Sequence, residues 1–252
     1  MTGHDDDPAT SCASPPCLMH EVDPAYMGLA GSTEPMSRAA IMRWRKAERA
    51  RLIEQRLAIP REARDATGER IAAHLEQALG DLAGLTVSAY WPFRGEPDLR
   101  ELLQRVNACG GRAALPVVVA RGEALIFRVW SRGDRLERGV WNIPIPAAGA
   151  EVVVPDVVIA PVVGFDPACY RLGYGGGFFD RTLAAMTVRP RVFGVGLAQA
   201  CIATIHPLAH DIAMDAVITE LGIVEAAAAV AFSEDQIVRG PQPPPQERTP
   251  IE

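Results

Sequence analysis

The 252-residue chain lacks any stretch of about 18 consecutive apolar residues, so nothing in it reads as a membrane span. Its first residues, MTGHDDDPATSCASPP, are acidic where a secretory leader is basic and contain no apolar core. There is no CxxC pair. The five cysteines, Cys12, Cys17, Cys109, Cys169 and Cys201, are odd in number and scattered. That argues against a zinc knuckle or a thioredoxin-type site and for free thiols in a reducing compartment. Positive charge is not in surplus either: the formal net charge is −6, which excludes bulk attraction to nucleic acid or an acidic membrane. Internal repeats are missing. The expectation is a monomeric cytoplasmic protein with small-molecule partners, binding neither nucleic acid nor membrane. What is present is ordinary globular composition, 48% hydrophobic and 22% charged, enough for one sizeable core.

Residues 1–36 are rich in Asp, Pro, Ser, Thr and Gly without periodicity and read as a disordered or loosely packed extension. Residues 233–252, ending RGPQPPPQERTPIE, read as a Pro-rich flexible tail. The folded unit is then 37–232, a single domain in which helices and strands alternate. SRAAIMRWRKAERARLIEQRL (37–57) has helical periodicity with Ser37 as its cap, and Pro60 opens a second helix reaching Leu79. PDLRELLQRVNAC (97–109) and FFDRTLAAM (178–186) also read as helices. LTVSAYW (85–91), RAALPVVV, EALIFRVW, PDVVIAPVV (155–163), RVFGVGLA (191–198) and DAVITE (215–220) read as strands. The continuous apolar run at 155–163 suits a strand buried on both faces of a parallel sheet. The order predicts a three-layer α/β sandwich with a mainly parallel sheet, where ligands bind beyond the carboxyl ends of strands.

RLGYGGGFFDRTL, Arg171–Leu183, stands at such an end, with four glycines in the five residues 173–177. It matches neither GxxxxGK[ST] nor GxGxxG. Such a run serves as a tight turn, or, feeding a helix, as a set of bare N–H groups offered to an anion. Arg171 at its mouth and Asp180 just inside the helix favour the anion, although an aspartate there also stabilises the helix on its own. Wound at 100° per residue, the first helix places Arg45, Arg49 and Arg56 inside the apolar stripe of Ile41, Met42, Leu52 and Ile53. Either their stems cover apolar surface while the guanidinium groups reach water, or Arg45 and Arg49 point into a cleft and meet an anion there. In WPFRGEPDL (91–99), Glu96 either caps the following helix or accepts hydrogen bonds from a heterocycle that stacks on Trp91. In HPLAHDIAMDAVITE, Asp211 and Asp215 are expected at the same sheet edge as the glycine loop. Two carboxylates beside a polyphosphate suggest Mg²⁺. Pro207 breaks the helix that a His206–His210 zinc pair needs, which leaves both as loop residues.

RLGYGGGFFDRTL closely resembles the signature of the 5-formyltetrahydrofolate cyclo-ligases, also called 5,10-methenyltetrahydrofolate synthetases. The surroundings agree in order across residues 43–224: Arg45 and Arg49 on an early helix, Glu96 after a strand, WNIPIP mid-chain, GFD before the loop, and HD…D…VITE at the end. The resemblance implies a Rossmann-like α/β/α sandwich and an ATP- and Mg²⁺-dependent ligase. Such an enzyme phosphorylates the formyl oxygen of 5-formyltetrahydrofolate; N10 then closes the ring, giving 5,10-methenyltetrahydrofolate, ADP and phosphate. By similarity, ATP is held by Arg45, Lys46, Arg49, Arg171, Leu172, Gly173, Tyr174, Gly175, Gly176, Gly177, Phe178 and Phe179. The folate is held by Arg49, Trp91, Glu96 and the stretch Tyr174, Gly175, Gly176, Gly177 and Phe178. Arg171 and Tyr174 act in catalysis, and Asp180 and Asp211 match the family's Mg²⁺ positions. Three departures stand out. Phe178 and Phe179 replace a common tyrosine pair. Tyr174 and Gly176 stand where some members carry a basic residue, leaving the cradle to its backbone and to flanking arginines such as Arg171 and Arg181. Arg45 replaces a lysine. The Phe pair and the two appendages motivate an alternative, a non-catalytic folate- or nucleotide-binding paralogue. A sugar-phosphate enzyme on the same general fold is a third reading.

Overall fold

The computed structural model describes residues 36–226; the Pro-rich tail, and the N-terminal extension up to residue 35, lie outside the described residues. The chain divides into two units, Met1–Ile41 and Met42–Glu252, and the architecture below is that of the second. In chain order the elements are α1 (Arg38–Ala58), α2 (Arg61–Leu79), β1 (Thr86–Ser88), α3 (Arg100–Ala108), β2 (Arg112–Val118), β3 (Leu125–Val129), β4 (Leu136–Arg138), β5 (Pro144–Pro146), β6 (Val152–Val153), β7 (Val157–Pro161), β8 (Gly164–Phe165), β9 (Arg171–Leu172), α4 (Phe178–Ala185), β10 (Arg191–Val195), β11 (Ala216–Thr219) and β12 (Gly222–Glu225).

Eight strands form one sheet in the order β12-β11-β10-β7-β1-β2-β3-β6. The five from β11 to β2 are parallel; β12 on one margin and β3 on the other run against them, and the outermost β6, antiparallel to β3, runs with them again. The sandwich is thus mainly parallel as expected, with antiparallel pairings at both margins. Period-2 alternation sends Val157, Ile159, Phe193, Val195, Ala216 and Ile218 to one face. There they meet Ile71, Leu75 and Leu79 of α2 and Leu102, Leu103 and Val106 of α3. Val192 and Val217 point the other way, into a cluster with Leu183 of α4 and Met214. Val158 joins Ala114, Leu125 and Phe127 on that same side, with Phe178 and Phe179 packed against them. The α2 residues are spaced i, i+4, i+8, one stripe of a helix, and each buried leucine contributes roughly 2 kcal/mol. Three layers result, with β7 buried on both faces as its apolar run requires.

Asp215 is a correction. It opens β11 at the amino end of the parallel strands, where its carboxylate accepts the Val192 N–H at 2.7 Å and pairs with Arg189 at 2.9 Å. Only Asp211 reaches the glycine-loop end.

Candidate active site

The carboxyl ends of β1, β2 and β7 border a cavity of about 220 Å³. After β7 the chain turns through the antiparallel β8–β9 pair, and β9 delivers Gly173 to the cavity wall. Gly175 (φ 91°) and Gly177 (φ 63°) occupy the left-handed region, which is what requires glycine there; Gly177 is also the residue that caps α4. The first N–H groups of α4, those of Phe178, Phe179 and Asp180, have no partner within the helix. Two loop carbonyls are tied back by arginines: Arg49 Nε donates to Gly173 O at 2.6 Å and Arg181 Nη2 to Gly176 O at 2.5 Å. The loop is braced at its carbonyls, and it lines the cavity along with Arg49 and Arg171. That is the form of an anion cradle.

The arginines of α1 turn inward. Arg45, 6% exposed, grips Asp211 through both terminal nitrogens (2.5 and 3.3 Å) and also donates to Ile205 O at 2.9 Å and His206 O at 2.8 Å. It lines the cavity, but most of its donors are consumed in fixing the 205–211 loop. Arg49 is half-buried; beyond its Nε bond, its terminal nitrogens make no hydrogen bond among the described residues. Burial, and then the neighbouring Arg45 charge, lower its pKa, yet a guanidinium stays charged at neutral pH. Of the two α1 arginines lining the cavity, Arg49 is therefore the one whose terminal nitrogens, among the described residues, are left for an anion. Its replacement by alanine is expected to weaken nucleotide binding about 10- to 100-fold, the worth of one charged hydrogen-bonding group, measured by titration with ATP. Unchanged affinity would return Arg49 to a packing role.

Arg171 is buried at 7% exposure. Its Nη1 donates to Ile212 O at 3.3 Å, and its Nη2 lies 2.8 Å from Asp180 Oδ1 without an aligned hydrogen bond. The Phe179 ring lies under the guanidinium at 5.6 Å. Asp180 Oδ1 accepts the Ile212 N–H at 3.2 Å, whereas no hydrogen bond among the described residues reaches its Oδ2. Burial pushes the Asp211 carboxyl up, but the Arg45 fork and the Leu208 N–H outweigh it and hold the group below the usual carboxylate range.

On the opposite wall, Glu96 is not a helix cap. Leu99 precedes α3, and no side chain caps it. Glu96 is 8% exposed; its Oε2 accepts the Phe93 N–H at 2.9 Å and its Oε1 the Tyr174 hydroxyl at 2.8 Å. Burial pushes its pKa up to about 7, with the Arg56 charge, the Tyr174 hydroxyl and the Phe93 N–H restraining the rise. Beside it the Phe93 and Trp141 rings lie nearly parallel (8°, centroids 6.3 Å apart), and Tyr174 is tilted against both. Trp141 (φ 56°) and the following Asn142 (φ 62°) hold left-handed backbone that disfavours side chains, a strained presentation at the cavity rim.

A model of the 5-formyltetrahydrofolate cyclo-ligase family matches residues 41–220, a span that contains every residue lining the cavity. The chain belongs to the 5-formyltetrahydrofolate cyclo-ligase family. It is, with that family, a ligase. A 5-formyltetrahydrofolate cyclo-ligase of Mycolicibacterium smegmatis is 32% identical over 186 residues, covering 70% of this chain and 94% of the relative. The protein of that name from Escherichia coli is 32% identical over 136 residues, 52% of this chain and 74% of its own length. Among solved structures, the 5,10-methenyltetrahydrofolate synthetase of Aquifex aeolicus superposes with a TM-score of 0.64 at 24% identity, over 77% of this chain and 99% of that one. The Mycoplasma pneumoniae synthetase gives 0.58 at 20% identity, over 70% and 98%. At those identities the structural likeness establishes the fold alone.

For a cyclo-ligase family member, the cavity gathers nearly all the site residues expected from the sequence. Arg45, Arg49, Trp91, Glu96, Arg171 to Asp180 and Asp211 all line it. Lys46, the only lysine in the chain, does not: it is exposed, one residue round the helix from Arg45. Trp91 borders the cavity, but its ring is already engaged by the Trp130 edge at 5.9 Å and the Arg100 guanidinium at 4.8 Å. The aromatic faces left to a ligand are that of Trp141 and the side of Phe93 not covered by the Arg94 guanidinium, which lies 5.1 Å from its ring. Arg181 is outside the lining and braces the loop over the Phe178 ring. Sequence reasoning assigned no role to Phe93, Trp141 or His210, and did not foresee that Arg56 meets Tyr174. WNIPIP marked Trp141 as a motif member, but no spacing rule announces a strained rim residue.

Proposed function

We propose that this cavity converts 5-formyltetrahydrofolate to 5,10-methenyltetrahydrofolate with ATP and Mg²⁺, releasing ADP and phosphate. One observation carries the reading: an anion cradle and a heterocycle-recognising wall face each other across a single cavity. The cradle is the glycine loop with Arg49 and Arg171; the wall is Glu96 with Phe93 and Trp141. The volume is below the roughly 300–1,000 Å³ of pockets that enclose a whole drug-sized ligand, so it suits the reacting ends of two ligands. Glu96 accepts N–H groups of the pteridine, and the aromatic faces stack on its ring. The loop amides, Arg49 and Arg171 hold the triphosphate. The formyl oxygen attacks the γ-phosphorus and ADP leaves. The N10 lone pair then attacks the formyl carbon, its proton departs, and phosphate leaves with the former formyl oxygen. An amide-type oxygen is a weak nucleophile, so positioning and charge neutralisation supply the acceleration, as phosphoryl transfer requires.

The acidic residues fit Mg²⁺. Among the described residues no three His, Cys, Asp or Glu side chains gather into a cage. Mg²⁺ needs none, since it binds through one or two carboxylates, waters and substrate phosphates. Asp180 and Asp211 would hold it, and it would neutralise charge on the transferring phosphoryl group. Asp180→Asn is expected to raise the Mg²⁺ concentration needed for half-maximal turnover while leaving the melting temperature within a few degrees. A collapse in stability without a metal effect would make Asp180 simply the partner of Arg171.

The test is the absorbance of the methenyl product in the presence of 5-formyltetrahydrofolate, ATP and Mg²⁺, with each omitted in turn. Binding of both ligands without product would favour the non-catalytic paralogue, for which the missing hydroxyls of Phe178 and Phe179 speak. Phe179→Tyr would then restore turnover.

A further inference from the structure

We propose that Arg56, which does not line the cavity, is a positioning residue for folate recognition, acting through the Tyr174 hydroxyl on the Glu96 carboxylate. That role depends on Glu96 meeting the pteridine, as proposed above. Arg56 lies two turns beyond Arg49 on α1 and is 5% exposed. Its three nitrogens reach three segments: Nε donates to Arg94 O at 3.0 Å, Nη1 to Val162 O at 3.4 Å and Nη2 to the Tyr174 hydroxyl at 2.6 Å. Arg94 is itself held at φ 49°, a left-handed backbone disfavoured for its side chain.

The direction of each bond is forced. A guanidinium only donates, so the Tyr174 oxygen accepts and the phenol's single proton goes to Glu96 Oε1, 2.8 Å away. The Phe93 N–H also only donates, to Oε2. Both carboxylate oxygens are thus fixed as acceptors on the protein side. A proton on Glu96 would have to sit on a lone pair directed elsewhere, turning an acceptor of pteridine N–H groups into a donor. Within the described residues no ion pair reaches Glu96 directly. The titratable groups facing it are Arg56 from α1, Tyr174 from the glycine loop and Tyr90 after β1, whose hydroxyl is spent on Pro97 O at 3.0 Å. Arg56 is the one cation among them, and burial otherwise favours the neutral carboxyl. Holding Glu96 ionised near neutral pH is the work its placement does.

The experiment is calorimetric titration of 5-formyltetrahydrofolate, and separately of ATP, into the full chain and the variants Arg56→Met, Arg56→Lys and Tyr174→Phe between pH 6 and 9. The unaltered protein is expected to lose folate affinity as pH falls through about 7, the pKa of Glu96. Arg56→Met is expected to bind folate about 5-fold more weakly at pH 7, to recover towards pH 9, and to show its midpoint about one pH unit higher. Tyr174→Phe shifts the midpoint the same way by less, Arg56→Lys restores part of the shift, and ATP affinity stays unchanged in both Arg56 variants. If Arg56→Met does not fold, the other two variants decide. Midpoints identical to the unaltered protein, or a loss equal at every pH and shared with ATP, would overturn the role of Arg56. An unaltered protein that binds ATP but no folate at any pH would instead overturn the functional reading beneath it.

Discussion

Glu96→Gln is expected to raise the melting temperature at pH 8 and to remove folate recognition. The folded-state pKa of Glu96, about 7, lies above its ordinary value of 4.5. As pH rises from 4.5 to 7 the unfolded chain releases this proton first, so the unfolded state gains and stability falls across that window. Above 7 the penalty is complete, about 3 kcal/mol for a shift of this size. Glutamine keeps the shape and one acceptor oxygen without the charge. Its amide must still find a partner, so part of the gain is lost, and a rise of about 5 °C is expected at pH 8 with almost none at pH 4.5. Folate affinity should drop at least about 100-fold, because two charge-assisted hydrogen bonds to the pteridine go. Melting curves at the two pH values, with a folate titration, test both halves. A variant less stable at both pH values, or one that binds folate normally, would contradict the assignment. The prediction is a trade between stability and function at one residue: a buried charge kept at a cost because the ligand needs it.

Arg171→Met should lower turnover about 1,000-fold, the lower end of what an arginine neutralising a transferring phosphoryl group contributes. Arg171 is buried, always charged, and has one terminal nitrogen without an aligned hydrogen bond inside the protein. Burial tends to lower its pKa while the Asp180 charge raises it. That nitrogen faces Asp180 at 2.8 Å as an ion pair without an aligned hydrogen bond, which leaves its donor for a partner that arrives with the substrate. Methionine fills the volume without charge and also leaves Asp180 unpaired. Arg171→Lys keeps the charge but loses the planar fork, and it should recover only part of the rate. The loss should fall on kcat, with folate affinity unchanged. Equal losses in stability and in binding of both ligands would mark Arg171 as a structural partner of Asp180 alone.

Much of this site was legible in the sequence, for identifiable reasons. The glycine run announces itself because glycine adopts the left-handed backbone of positions 175 and 177 without the strain a side chain brings. The inward arginines were visible as charges at apolar angles of α1, and two of them do not reach out to water: Arg45 and Arg56 are buried and bonded within the protein. Among the described residues, periodicity located the α-helices and the parallel strands, since the alternation at 157–159, 192–195 and 216–218 is what divides the two faces of the sheet. The rest was hidden because it depends on contacts far apart in the chain. Arg56 meets Tyr174 across 118 residues and Tyr174 meets Glu96 across 78, and no local rule encodes either pairing. Asp211 and Asp215 are four residues apart, yet they face opposite ends of the sheet because the connection after β10 runs back to where β11 begins. Arg45 and Lys46 were both expected at the nucleotide; they differ by one step of helix rotation, and the side chain that faces the cavity is Arg45.

The central claim is that the cavity couples cleavage of ATP to activation of the formyl oxygen. 5-Formyltetrahydrofolate labelled with ¹⁸O in its formyl group, incubated with the protein, ATP and Mg²⁺, measures that coupling in a single experiment. One labelled oxygen in each phosphate released, matched mole for mole by methenyl product, is the predicted result. Unlabelled phosphate, or phosphate released without methenyl product, would contradict it.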